Sequence, residues 1–167
     1  PNDDTEKGKT PEKKVYDWTF KMGVSKVDET GNALTGAKFA LSKNGALKVA
    51  DMNCNDEGIP AVTTDLIGMV KVTDGVYRVA MDGDTNVVYV IEAGNPVIKG
   101  LDDTIDYYLY ETKAPGGYNL LSEPVQFKIS ASYAADGSNY TSVTVMVGCG
   151  LQCTECKYCK QNRFDPS

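Results

Sequence analysis

Apolar and polar residues alternate in short runs along most of the chain, which is the pattern of β-strands with one buried face. The first run begins at Val15. Its apolar positions are Trp18, Phe20, Met22 and Val24. Because the residues between them are polar or small, this segment is predicted to be a strand that packs one face on a core.

Further runs of this kind follow, separated by turn signals such as Asn44-Gly45 and Asp82-Gly83-Asp84. They are Ala37–Leu41, Leu47–Ala50, Gly68–Thr73, Val76–Met81, Val87–Glu92, Val97–Lys99, Ile105–Glu111, Val125–Ile129 and Val143–Val147. No stretch has helical periodicity over more than two turns. Strands spaced in this way, without intervening helices, predict an all-β fold, either an antiparallel sandwich or a Greek-key barrel.

Two charged residues stand at the ends of apolar rows. A period of two places Lys26 on the apolar face of the first strand. The same parity places Glu111 at the end of the row Ile105–Glu111, just before a Pro-Gly-Gly turn, but it is less decisive there because Tyr108 and Tyr110 make the other face of that strand aromatic too. A buried ammonium or carboxylate is costly unless it is paired, neutralised or consumed in a bond. If the strand instead ends or bulges at Ser25, Lys26 reaches solvent, and the pattern alone leaves both alternatives open.

Composition narrows the range of functions. The chain has 167 residues, 23 acidic and 17 basic, with a net charge of −6, whereas a nucleic-acid-binding face would need a basic cluster. It contains no histidine, so catalysis by a serine triad or a histidine-bound metal is not expected. No apolar run approaches the roughly 20 residues of a membrane span, and the first residues lack a signal-peptide core. We therefore expect a non-enzymatic protein without cofactors.

Two strings carry a family resemblance. They are KVDETGNALTGAKFAL, which starts at Lys26, and GLDDTIDYYLYETKAPGGYN, which starts at Gly100. Together they closely resemble the CnaB-type domains of Gram-positive surface proteins, in particular the C-terminal domain of SpaA-like shaft pilins. The resemblance covers most of residues 15–147 and implies an all-β, immunoglobulin-like antiparallel β-sandwich.

The resemblance also implies a reaction. In that family a lysine of the first strand and an Asn or Asp of the last strand form an intramolecular isopeptide bond, assisted by the glutamate of the E-T-x-A-P segment. The matching residues here are Lys26, as the amine partner, and Glu111, as the proton shuttle. An apolar core suits this chemistry because it favours a neutral amine and a protonated carboxyl. The alternative is a buried Lys–Glu ion pair without further chemistry.

A structural role follows from the resemblance. It implies a stalk domain of a Gram-positive pilus or surface adhesin, outside the cell, with sibling pilin subunits or domains and a sortase as partners. A ligand-binding adhesin module is the alternative. In that case the long segment Asp51–Gly68, which contains Cys54 and the Ile59-Pro60 turn, would contact a host matrix protein or a glycan.

We expect three segments: a charged lead-in or linker at 1–14, the sandwich at 15–148 and an atypical cysteine-rich tail at 149–167. The acceptor Asn or Asp is unknown, because the run Val143–Val147 contains neither. The tail carries four of the five cysteines in the spacing C-x3-C-x2-C-x2-C. That spacing could hold zinc or an iron–sulfur cluster, or the cysteines could form disulfides, but no fold signal accompanies it and we expect no metal site.

A different hypothesis fits the tail better. With one choice of codons for Thr154 onward, reading one base later gives QNVNIVNRIGLIP, an alternating strand with an asparagine and the beginning of a sorting-signal-like sequence. The tail would then be an out-of-frame translation of the family's last strand, and the acceptor would be lost with it. Asn162 is the only tail asparagine that could substitute. The coding DNA around Gly148 tests this: an intact frame without a shifted pilin-like sequence would refute it.

Overall fold

The computed structural model describes residues 20–28, 30–92, 96–102, 104–129 and 143–147. Within these ranges the regular elements are β-strands, apart from one short 3-10 helix at Val49–Met52. The predicted lead-in at 1–14, the start of the first predicted strand and the cysteine-rich tail at 149–167 lie outside the described residues. The prediction of an all-β fold is therefore confirmed for the part of the chain that carries the strands.

The described strands are numbered in chain order. They are β1 Phe20–Lys26, β2 Lys38–Ser42, β3 Met69–Thr73, β4 Val76–Val79, β5 Ile91–Glu92, β6 Val97–Leu101, β7 Asp106–Lys113, β8 Val125–Lys128 and β9 Val143–Val147. They form two sheets, with strand orders β3-β4-β6-β1-β9 and β5-β2-β7-β8. Of the two predicted architectures, the sandwich is the one found.

Two strand pairings in the five-stranded sheet are parallel, β1 with β9 and β4 with β6. The other pairings between named strands in the described residues are antiparallel. The five-stranded sheet is therefore mixed. Alternation along a single strand identifies its buried face but contains no information on the direction of its neighbour, so this feature is not predictable from the pattern.

The main core lies between the sheets and uses the faces that the alternation predicted. Its fully buried members include Met22 and Val24 from β1, Phe39 and Leu41 from β2, and Leu109 from β7. Leu41 and Leu109 are register partners across the β2–β7 pair, where opposed side chains stabilise the sheet. Burial of these apolar side chains is the main force that holds the two sheets together.

A second hydrophobic cluster covers the outer face of the β2–β7 pair. Ala40, Met52, Val90 and Tyr110 form it. Partly buried residues that pack against it are Leu47, Val49, Cys54, Leu66 and Tyr108. Several of these belong to the long connection between β2 and β3. The segment proposed as a ligand loop in the sequence is thus built into the domain by its own apolar side chains.

The segment Leu47–Ala50, predicted to be a strand, is instead the approach to the 3-10 helix Val49–Met52. The amide of Asp51 donates to the Lys48 carbonyl, and the helix ends at Asn53 in the left-handed region with φ 54°. The apolar residues here pack on a neighbouring sheet face without pairing in a ladder, which produces the same short apolar run as a strand. The predicted strand Val87–Glu92 is also shorter, because only β5 and an isolated bridge from Val88 to Met69 form.

Glycine at position 58 allows this connection to reach β7. Gly58 has φ +75°, and a Cβ atom there would lie 2.7 Å from Lys113 Cβ. Beside it, Glu57 Oε1 lies 3.6 Å from Lys38 Nζ and 3.5 Å from Lys113 Nζ. The connection is therefore anchored on the residues that directly follow Glu111.

Replacing Tyr110 with phenylalanine is expected to destabilise the domain by about 1–3 kcal/mol, because a pair of polar backbone groups would lose its partner. The Tyr110 hydroxyl donates to the Asn44 carbonyl at 2.6 Å and accepts from the Leu47 amide at 3.1 Å. Urea denaturation measures the effect. The matched control is Tyr108→Phe, since the Tyr108 hydroxyl makes no hydrogen bond within the described residues, and an equal loss in both variants would contradict the bracing role of Tyr110.

Candidate functional site

The two charged residues singled out by parity meet in the core. Lys26 Nζ lies 3.3 Å from Glu111 Oε2, and the two side chains are both 0 % exposed. The β1–β9 register runs without interruption through Ser25 and Lys26. The alternative in which β1 ends or bulges at Ser25 and Lys26 reaches solvent is therefore wrong.

Two strands from different sheets position the pair. Lys26 is the last residue of β1, and Glu111 lies in β7 of the facing sheet, in register with Phe39 of β2. Strand alternation directs both side chains into the space between the sheets. The contact consequently bridges the two layers of the sandwich.

The Pro-Gly-Gly turn completes the site. The amide of Tyr118 donates to the Pro115 carbonyl, and Gly117 has φ +85°, which turns the chain back toward β7. Leu121 then donates its backbone N–H to Glu111 Oε1 at 2.8 Å. One carboxyl oxygen is thus held by the backbone while the other faces Lys26, a contact that the sequence analysis did not predict. The sequence signal for it is the turn that directly follows the glutamate strand.

Burial moves both groups toward their uncharged forms. It lowers the pKa of Lys26 from its usual 10.5, against the opposing effect of the Glu111 charge. Burial likewise raises the pKa of Glu111 above its usual 4.5, against the opposing effects of the Lys26 charge and the Leu121 amide. Both shifts favour a neutral amine beside a carboxylic acid over the charged pair.

The Lys26–Glu111 contact has the length of an ion pair but not the direction of a hydrogen bond. Within the described residues, Lys26 Nζ and Glu111 Oε2 are buried polar atoms without a hydrogen-bond partner. Such atoms are rare and costly in folded proteins. In the uncharged form of the pair, the nitrogen lone pair and the carboxyl proton would be available to a third group.

A cavity of about 390 Å³ borders the glutamate. Its walls are the segments 45–50 and 121–124, and Tyr110 and Glu111 also line it. Glu111 as a whole is only 1 % exposed. The Glu111 side chain itself is 0 % exposed, so the cavity lies against this residue without reaching its carboxyl.

The remaining candidate groups are not assembled into a site. Cys54 is a free, half-buried thiol whose pKa is raised by burial. No group of three or more His, Cys, Asp or Glu side chains suitable for a metal ion occurs in the described part of the chain. The four tail cysteines and Asn162 lie outside it. Nor does any helix within the described ranges have the length and hydropathy to cross a membrane.

These features define a class of protein: an immunoglobulin-like β-sandwich with a lysine–glutamate pair buried between its sheets. The chain belongs to the family described as SpaA, prealbumin-like fold domain, whose model matches residues 20–141. The resemblance inferred from the two sequence strings is thereby confirmed.

Several solved pilin structures are similar to the chain. A streptococcal ancillary pilin is 18 % identical with a TM-score of 0.49, and the match covers 80 % of this chain and 33 % of that one. The shaft pilin SpaA from Lactobacillus rhamnosus GG is 19 % identical with a TM-score of 0.44, covering 79 % and 48 %. BcpA, the major pilin subunit of Bacillus cereus, is 20 % identical with a TM-score of 0.38, covering 77 % and 28 %.

The chain spans between about a quarter and a half of the length of these three structures. Among curated proteins, none matches the chain.

Proposed function

We propose that the chain is a structural stalk domain of a Gram-positive pilus or wall-anchored adhesin, in which Lys26 is the amine and Glu111 the proton shuttle of an intramolecular isopeptide bond. The observation that carries this proposal is the 3.3 Å contact between Lys26 Nζ and Glu111 Oε2 with neither side chain exposed. A buried salt bridge is weak evidence for stability, since desolvation offsets most of its attraction. A reaction that needs these two groups uncharged explains their position better.

The chemistry follows from the protonation states. A neutral Lys26 amine attacks the side-chain carbonyl carbon of an Asn or Asp, while protonated Glu111 donates a hydrogen bond to the carbonyl oxygen. Glu111 then passes a proton from the amine to the leaving group, which departs as ammonia or water. Fixing the reactants in a core replaces a bimolecular amidation with a positioned one, for which effective molarities of about 10⁵ M are attainable.

The cavity beside Glu111 supports this role. The leaving group forms in a region without bulk water, so it needs a path outward. A cavity of about 390 Å³ whose walls include Glu111 and Leu121 lies next to the site, with the fully buried carboxyl behind its wall. Escape of the small product would make the bond effectively irreversible.

The strand order supports a mechanical role. β1 and β9 are neighbouring parallel strands, so the start of β1 and the end of β9 lie at opposite ends of the pair. Force applied at these two points pulls the strands past each other along their axes and loads their hydrogen bonds together. A covalent link between β1 and β9 would turn this resistance into a permanent clamp.

The long connection between β2 and β3 favours the stalk over the binding module. Met52 from this segment is buried against Ala40 and Tyr110, and Gly58 and Glu57 fix it to β7. These contacts assign the segment a packing role. Of the large apolar residues in this segment, Met52, Leu66 and Ile67 pack on the domain, while Ile59 and Val62 are 43 % and 42 % exposed.

Pilus assembly tests the proposal in the source bacterium. Antibodies against the described domain are expected to detect a ladder of sortase-linked, denaturant-resistant polymers in cell-wall extracts, with sibling pilins as partners. Deleting the sortase should collapse the ladder to single subunits, while deletion of an unrelated sortase serves as the control. Detection of the domain only as a monomer in the cytoplasm would refute the stalk role.

A further inference from the structure

The register of β9 against β1 locates one position beside the buried amine. Five consecutive pairs run from Met22 with Val143 to Lys26 with Val147. Neighbouring strands lie about 4.8 Å apart, and register partners share a sheet face. Position 147 is therefore next to Lys26, on the face that looks toward Glu111.

No other described strand of the same sheet flanks Lys26. On the opposite side of β1, the β6 register ends with Val97 opposite Gly23, followed by the bond from the Val24 amide to the Pro96 carbonyl. The Lys26 carbonyl accepts from the amide of Leu34, which belongs to the turn after β1 and not to a strand. Asp28 is close in sequence, but its Oδ1 already accepts from the amides of Thr30 and Asn32 and from the Thr30 hydroxyl in a local turn. These contacts hold the Asp28 carboxylate in its own loop.

We propose that position 147 is the acceptor position of the cross-link and that, because valine stands there, the described part of the chain holds the amine and the proton shuttle without their electrophile. The proposal rests on the proposed function of Lys26 and Glu111, and it is an alternative to the hypothesis that the acceptor was lost with an out-of-frame tail. A valine side chain has no carbonyl carbon for the amine to attack. Lys26 and Glu111 therefore remain an unreacted pair, and a single substitution at 147 is sufficient to complete the site.

The completed reaction is balanced with an asparagine at that position. The bond from Lys26 Nζ to the amide carbon forms, and the bond from that carbon to the amide nitrogen breaks. One proton moves from Nζ through Glu111 to the leaving nitrogen, which departs as ammonia. No oxidant or further reactant is needed.

The experiment compares intact masses of the full chain after reduction of its cysteines. The native chain is expected at its full sequence mass. The Val147→Asn chain is expected to be lighter than its own sequence mass by one ammonia, and the Val147→Asp chain lighter than its own by one water. Peptide mapping should join Lys26 to position 147. Adding Glu111→Gln or Lys26→Met to Val147→Asn should restore the full mass.

Asparagines at neighbouring positions of β9 distinguish an error in the acceptor position from an error in the proposed role of Lys26 and Glu111. Val145→Asn, opposite Val24, and Met146→Asn, opposite Ser25, are expected to keep the full mass. If one of them reacts with Lys26 and Val147→Asn does not, the position is wrong and the role of the pair stands. If all three fold and none reacts, the proposed role of Lys26 and Glu111 fails.

Two further outcomes would contradict the inference that position 147 is the acceptor position. A native chain that lacks one ammonia or water and has a modified Lys26 would show an acceptor elsewhere and overturn the inference. Because an unreacted asparagine in the core is destabilising, a parallel sample contains sulfate, which strengthens apolar burial. A Val147→Asn chain that stays unfolded in both samples also counts against position 147, because the true acceptor position must accommodate an asparagine side chain.

Discussion

The Glu111→Gln variant is expected to become more stable as the pH rises from neutral toward 10.5. At neutral pH it should be less stable than the native chain by about 3–5 kcal/mol, the usual cost of removing one partner of a buried ion pair. Without the Glu111 charge, burial acts unopposed on Lys26, whose pKa is already lowered in the native fold. The folded variant therefore releases a proton that the unfolded chain retains up to pH 10.5.

The sign of the effect follows from proton binding. Between the lowered folded-state pKa of Lys26 and 10.5, the unfolded variant binds more protons than the folded one, so the free energy of unfolding rises by about 1.4 kcal/mol per pH unit. The native pair holds one proton in total, whether as ion pair or as acid and amine. The unfolded chain also holds one between pH 4.5 and 10.5, so the native pair contributes no slope at any pH in this window where it keeps that single proton.

Urea denaturation between pH 6 and 10 measures this difference. Subtracting the pH profile of the native chain's free energy of unfolding from that of the variant removes the contributions of other groups. These include Tyr107 and Tyr110, whose pKa values burial raises. Lys26→Met should show the opposite slope above pH 4.5, because a lone buried Glu111 keeps its proton in the folded state. The double variant should follow the native slope. Equal slopes in Glu111→Gln and native protein would mean that Lys26 does not titrate, as in a closed cross-link.

Phe39→Ala is expected to destabilise the domain by about 3–5 kcal/mol, because it removes a fully buried aromatic ring and leaves a cavity. Phe39 is 0 % exposed and is the register partner of Glu111. The cavity would therefore open beside a charged pair, where entering water finds polar partners. Hydration should move the pKa of Lys26 back toward 10.5, so the pH-dependent rise of Glu111→Gln starts at a higher pH in the double variant.

Phe127→Ala is the matched control for this prediction. Phe127 is also a buried ring, stacked on Tyr107 with centroids 5.3 Å apart, but its register partner is Tyr107 and not a site residue. Its loss should cost similar stability without changing the pH at which the rise begins. A shift of equal size in both alanine variants would contradict a local effect of Phe39 on the pair.

The alternation of apolar residues predicted much of this site. Lys26 and Glu111 stand at the ends of apolar rows, and strand parity depends only on backbone geometry, so the sequence offered their burial as one alternative and the structure decides for it. The Leu121 amide is not readable from the sequence, because a backbone donor has no residue-specific signal. The long β2–β3 connection was open to a binding interpretation, since its apolar residues follow no regular period and their partners come from distant strands.

The roles of Lys26 and Glu111, the segment boundaries at 14 and 148 and the frame of the tail remain predictions. The parallel neighbour of β1 illustrates the physical limit. Residues 22–26 pair with residues about 120 positions later, and contacts of such separation are specified by the whole fold and not by local propensity. Position 147 therefore became a candidate only from the register.

In the proposed reaction, the turn that returns Leu121 to Glu111 also determines when Lys26 becomes a nucleophile. In the unfolded chain, the Lys26 ammonium has its ordinary pKa and carries a proton that blocks attack on any carbonyl. The low-dielectric site requires β1, β7 and the turn at 115–118 together, so amine activation comes late in folding. A newly made chain crossing a membrane or waiting to fold would thus be protected from cross-linking in the wrong register, with the timing set by folding itself.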